Sequence, residues 1–299
     1  MNKTLQVHFA LFIVSFIYGA TFIIAKEVMP VYIKPYGFIV IRVWGAALLF
    51  ILMSKVSGGV SQPIEKKDYK LLFLSAVTGV GANMLLFFQG LSLTTPIKAA
   101  VEMVCTPLFV ALLAFWVLKE KVTVLKIGGL ILGLSGAVFM ILWPDFSLSG
   151  GTVLGDIYVI LNAIIYAYYL IIAKPLIQKY QAIHIVKWTF ILGAVLVFPF
   201  GITDILKVDW LHIPYSIWIA IIFVIVCTTF LTYLLNGWAL KYVNSSVVGA
   251  YIYLQPVLAS IIAIALGKDE ITLQKFIFAA MIFAGVYLVS LRPKVAVAN

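Results

Sequence analysis

The feature that most constrains this chain is its division into ten apolar runs of about twenty residues, joined by short connections. The runs fall near 9–25, 37–53, 71–92, 97–118, 127–143, 155–173, 186–202, 215–236, 246–266 and 276–291. A helix rises about 1.5 Å per residue, so each run matches the ~30 Å hydrocarbon thickness of a bilayer. The connections carry turn or charge signals such as Ser57-Gly58-Gly59, Lys119-Glu120-Lys121, Pro144-Asp145 and Gly267-Lys268-Asp269-Glu270. Nothing is left over for a soluble domain. In lipid each segment must satisfy its own backbone polar groups, so the expected fold is all-α, with ten transmembrane helices.

Composition agrees: 64% of residues are hydrophobic and 11% are charged, too few charges to coat a water-soluble core. The lipid bilayer is therefore the first expected partner. The net charge of +10 comes almost wholly from scattered lysines, with no basic-aromatic stripe, so no nucleic acid is expected. Cys105 and Cys227 each lie inside an apolar run and read as reduced packing residues. The first run is too long for a signal-peptide core and no small-residue cleavage site closes it, so it is expected to be a mature span.

Lysine placement sets the orientation. Fourteen basic residues fall at the two ends of the chain and in the even-numbered loops, against six in the odd-numbered loops. The positive-inside rule then places both termini in the cytoplasm of a multi-pass protein of a bacterial-type inner (plasma) membrane.

The chain also repeats itself. Ile17-Tyr18 and Ile23-Ile24-Ala25-Lys26 recur as Ile165-Tyr166 and Ile171-Ile172-Ala173-Lys174, and Gln89-Gly90 recurs as Asn236-Gly237. Pro107, Ala114, Lys119, Thr123, Lys126 and Gly136 match Pro256, Ala263, Lys268, Thr272, Lys275 and Gly285 in one register, with Glu120 opposite Asp269. Shared apolar composition accounts for the isoleucines and alanines, but not for matched proline, lysine, threonine and acid positions. Residues 1–145 and 146–299 are thus expected to be two five-helix repeats. An odd number of spans per repeat inserts the second half upside down, an architecture that permits alternating access.

These residues, together with Tyr18-Gly19-Ala20-Thr21, Arg42, the stretch from Pro107 to Thr123, Gly155-Asp156 and Gly267 to Thr272, resemble the EamA-type members of the drug/metabolite transporter superfamily over nearly the whole chain. The resemblance implies two inverted five-helix repeats around a central cavity and export of amino acids or other small metabolites. It does not imply a particular substrate. Asp269 stands where the first repeat has Glu120, which makes the second loop a partial match.

Ionisable groups inside spans are costly and point to function, about 3 kcal/mol or more at the bilayer centre. Arg42 and Glu102 lie roughly 8 Å below the outer boundary, close enough in depth to face each other, with snorkelling to the headgroups as the competing account. Glu102 and Thr106 correspond in the repeat to Tyr251 and Gln255, each pair one helical turn apart. Pro107 and Pro256 deprive the carbonyls of Met103 and Ile252 of helical donors, which either kinks the helix for packing or lines a binding site with backbone. Tyr18, Tyr166, Asn83, Gln89, Asn162, Trp188, Thr232 and Asn236 complete the candidates for substrate binding or coupling, against the alternative of interhelical packing. Gly129-x-x-x-Gly133 reads as a close helix contact, within the chain or in a homodimer.

Among function classes, a membrane-embedded enzyme lacks any GxSxG, HExxH or P-loop pattern, and His8, His184 and His212 sit in separate segments. No catalytic residue, metal or cofactor is expected. A channel lacks a filter motif, and a lipid scramblase would need a wide lateral cleft. The reading that remains is a secondary transporter of a small-molecule substrate, driven by a gradient, with protons as the coupling ion considered. In that reading Glu102 exchanges partners between Arg42 and the substrate or a proton.

Overall fold

The computed structural model describes residues 3–29, 31–56, 63–94, 96–143, 151–265, 267, 270 and 272–291. Asp145, Lys268 and Asp269, named above, lie outside them. The described residues are helical with no strand, and ten of the segments they form are long and apolar enough to cross a membrane. Six spans are continuous or nearly so: α1 (Lys3–Val28), α2 (Pro35–Val56), α7 (Val124–Leu142), α8 (Val153–Lys179), α9 (Ala182–Ile205) and α14 (Leu273–Ser290). The other four are interrupted, and the interruptions obey the repeat. The third span is α3 (Tyr69–Ala76) and α4 (Ala82–Leu93) joined by a π-turn at Val77–Gly81. The eighth is α10 (Tyr215–Phe223) and α11 (Thr232–Leu240) joined by a π-turn at Val224–Leu231. The two π-turns start at the offset that pairs Gln89 with Asn236.

The fourth span breaks between α5 (Pro96–Met103) and α6 (Thr106–Leu118); the ninth breaks at a 3-10 turn, Tyr251–Tyr253, between α12 (Ser245–Ala250) and α13 (Leu254–Ala265). Pro107 and Pro256 fall in the first turn of the new segment, where no backbone N–H is required. The proline therefore restarts a helix and does not kink a continuous one. The Met103 carbonyl expected to be free accepts the Thr106 hydroxyl at 2.6 Å, and the Tyr251 carbonyl accepts Ser15 Oγ at 2.8 Å.

The register also explains the matched threonines. Thr123 caps α7 by accepting the Lys126 N–H at 3.2 Å, and Thr272 caps α14 by accepting the Lys275 N–H at 3.3 Å. These two capped helices pack on each other. A Cβ on Gly129 would lie 2.7 Å from the Gly285 carbonyl, and one on Gly285 would lie 2.6 Å from the Gly129 carbonyl. The Gly129-x-x-x-Gly133 contact is thus within the chain. Equivalent spans pack in equivalent ways: α2 against α9, α4 against α8, and α1 against α11 and α13.

Lysine-bearing ends meet as the loop count expects. Lys179 Nζ lies 2.6 Å from both Glu65 and Asp68, and Lys3 Nζ sits over the Tyr242 ring at 5.2 Å. Lys174, expected in a loop, instead lies within α8, which runs helically beyond its apolar stretch to Lys179.

Candidate functional site

A cavity of about 600 Å³ occupies the middle of the bundle, between the first, second, third, fourth, sixth, eighth and ninth spans. It extends to Met29 and Pro35, where α1 ends and α2 begins, and to Leu91 and Ser92 at the end of α4. Of the residues singled out from the sequence, Tyr18, Arg42, Asn83, Asn162, Tyr166, Tyr251, Gln255 and Asn236 line it. Gln89, Glu102, Thr106 and Trp188 are not among the lining residues. Gln89 is taken up by the Tyr36 hydroxyl. Thr106 is fully buried on its own helix break, and Trp188 is 38% exposed beside Lys187.

The floor is built by the interruptions. Widening to an i to i+5 pattern leaves carbonyls that side chains can reach. The Tyr233 hydroxyl donates to the Gly79 carbonyl at 2.8 Å, and Thr229 Oγ1 donates to the Val224 carbonyl at 2.7 Å. Arg42 Nε then donates to Thr229 Oγ1 at 3.1 Å, which holds the guanidinium against the second π-turn. Tyr18 and its repeat mate Tyr166 both line this space. On the wall, Asn162 Nδ2 donates to the Asn83 carbonyl at 2.6 Å, leaving Asn162 Oδ1 buried and without a donor. Tyr233, Thr228 and Thr229 were not singled out as site residues from the sequence. Their signal was the Thr228-Thr229 pair inside an otherwise apolar run.

Arg42 and Glu102 do not meet as expected: among the described residues Arg42 forms no ion pair. Glu102 instead has Asp156 of α8, itself bound by Lys98 and Thr94, as an electrostatic neighbour. One Glu102 carboxylate oxygen is buried without a partner. The physical reason is that α5, ended by the break at Met103, packs on α8 and carries Glu102 to Asp156.

The end of the bundle away from Met29 and Pro35 is closed by a charged cluster. Lys119, at φ 55, ends α6 in the left-handed region, and the Glu120 N–H returns to the Ala114 carbonyl at 3.1 Å. That turn drives the Glu120 side chain inward. Its carboxylate lies 3.1 Å from Lys126 Nζ and 3.2 Å from Lys174 Nζ. It also accepts the Ser245 N–H at 3.1 Å and the Ser246 hydroxyl at 2.9 Å. Burial alone would push the Glu120 carboxyl up, but the Lys174 and Lys126 ammonium groups and the Ser246 hydroxyl outweigh it and hold it below its ordinary value. One carboxylate thus ties the fourth and fifth spans to the sixth and ninth.

Ten spans in two inverted five-helix repeats, with a cavity at mid-depth between interrupted helices, define a polytopic membrane transporter. The EamA-like transporter family model matches the chain twice, at residues 5–142 and 153–291, and the chain belongs to that family. It is 26% identical over 294 residues to the uncharacterized transporter YyaM of Bacillus subtilis (strain 168), covering 96% of this chain and 94% of that one. An uncharacterized transporter of Methanothermobacter thermautotrophicus is 26% identical over 231 residues, covering 75% and 65%. A solved crystal structure overlays with a TM-score of 0.79 at 16% identity, covering 95% of this chain and 96% of that one, a likeness of fold.

Proposed function

We propose that the protein is a secondary transporter that exports a small metabolite, such as an amino acid, through the central cavity by alternating access. The observation that carries this reading is the opposition of its two ends. The cavity extends from mid-bundle to the α1–α2 end, and the far end is tied shut by Glu120. In the lysine-based orientation both termini are cytoplasmic, the cavity faces outward, and the Glu120 cluster is the inner seal of a bacterial-type inner membrane protein. Export then requires that cluster to part while the spans around Met29 and Ser92 close. The boundary between repeats is placed at 145/146. The Glu102, Asp156 and Lys98 cluster near the cavity's mouth is the proposed site of proton coupling.

The test is efflux of a metabolite panel from vesicles reconstituted with the purified chain, with and without a pH gradient. Saturable efflux of one chemical class, absent from protein-free vesicles, is the expected result. Equal leakage of all solutes would indicate a pore, and movement of labelled lipid alone would indicate a scramblase; either would overturn the reading.

A further inference from the structure

Resting on that transport reading, we infer that the cargo is a small organic acid with a single carboxylate, which seats on Arg42. Among the described residues that line the cavity there is no Asp, Glu, Lys or His, so Arg42 is the sole ionisable charge facing that space. The side chain is held, yet unneutralised. Its Nε is anchored to Thr229 Oγ1 at 3.1 Å, no other hydrogen bond engages the guanidinium among the described residues, and the described acids that could have paired with it are directed elsewhere. Glu102 faces Asp156 and Lys98, and Glu120 faces Lys126 and Lys174.

A guanidinium kept at 9% exposure in the interior of a membrane protein is costly without an anion. With its Nε fixed, its two terminal nitrogens remain as a planar fork that fits the two oxygens of one carboxylate. One cation among the described lining residues argues for one negative group on the cargo; a second would meet no partner among them. Met84, Phe87, Phe88 and Met103 supply an apolar wall for the remainder of the molecule. A zwitterion keeps the carboxylate contact, whereas an amine or an amide of the same shape loses it.

The test uses the purified full-length chain in detergent at neutral pH and matched sets of probes: phenylacetate, phenylacetamide and phenethylamine, then isovalerate and its amide and amine. Equilibrium dialysis should give at least one acid an affinity at least about tenfold above its amide and amine. Arg42→Gln should reduce that acid to the level of its amide while leaving the amide unchanged, and Arg42→Lys should retain part of the preference. If Arg42→Gln does not elute as a monodisperse protein, Thr229→Val, which frees the anchor, should weaken the acid severalfold and spare the amide. Binding of amide or amine as tight as that of the acid, an acid preference that survives Arg42→Gln, or no acid bound at all would overturn the inference. Counterflow of the same probes in vesicles separates the two claims. Acid binding as expected without counterflow contradicts transport and leaves the Arg42 assignment standing; saturable counterflow with no preference for acids does the reverse.

Discussion

A carboxylate enclosed by two ammonium groups responds to pH differently from one in water. The Glu120 pKa is lowered in the folded chain, so its contribution to stability is complete above the usual carboxylate range and is lost as pH falls through the lowered value. Glu120→Gln leaves Lys126 and Lys174 buried without a counter-charge, at a cost of about 3–5 kcal/mol. In detergent the variant should melt well below the parent at neutral pH, and the two melting curves should converge only on acidification below the usual carboxylate range. A constant gap across that range would mean that the cluster is not what stabilises this end. Glu102, whose neighbours are Asp156, Lys98 and Cys105, calls for a different readout. If it couples protons, Glu102→Gln should fold, bind cargo and lose the pH dependence of initial efflux between about pH 5.5 and 8. An unchanged pH profile would remove it from the coupling step.

At the level of the element, the interruptions and the glycine contacts connect sequence to site. The Pro107 and Pro256 match was legible, but its meaning was not. The two readings of these prolines were a packing kink or a backbone-lined site, and the fold shows that each instead stands in the first turn of a new helical segment. The π-turns had no sequence signal beyond Gly79, Gly81 and the Thr228-Thr229 pair, because widening by one residue leaves hydrophobic periodicity almost unchanged. The matched threonines were visible as a register and acquire their cause as caps. The packing of α7 on α14 can be tested with a contrast on neighbouring glycines. Gly285→Ala places a Cβ 2.6 Å from the Gly129 carbonyl, whereas Gly128→Ala meets nothing within 4 Å. The first should destabilise by about 1–3 kcal/mol, as overpacking does, and the second should be neutral or mildly stabilising. Thermal denaturation in detergent measures both, and equal effects would refute the close approach of the two backbones.

For the whole molecule, span number and repeat could be read from the chain because lipid demands a continuous apolar signal that each helix must carry by itself. The site was read only in part. Tyr18, Arg42, Asn83, Asn162 and Tyr166 were visible as polar or repeat-matched groups inside spans, and they converge on the cavity. The Arg42 and Glu102 pairing was misplaced because depth along two helices was known while rotation about their axes was not, and the break after Met103 hands Glu102 to α8. The Glu120 cluster escaped because Lys174 looked like a loop residue until α8 was seen to continue through it. The orientation has its own test. With Cys105 and Cys227 replaced, a single cysteine at Asp209 should react with an impermeant maleimide applied outside cells, and one at Lys66 should not; the reverse pattern would invert the topology.

Alternating access itself is tested most directly by two cysteines introduced one at a time into that background. Ser92→Cys stands where the cavity reaches the α4 end, and Ser245→Cys stands in the seal, where its backbone N–H can still bond Glu120. Their modification rates should change in opposite directions: weakening the seal by Glu120→Gln should speed reaction at position 245 from the inside and slow reaction at position 92 from the outside. Rates that rise together would describe a pore, and a position 245 that stays unreactive while efflux proceeds would contradict the passage proposed here.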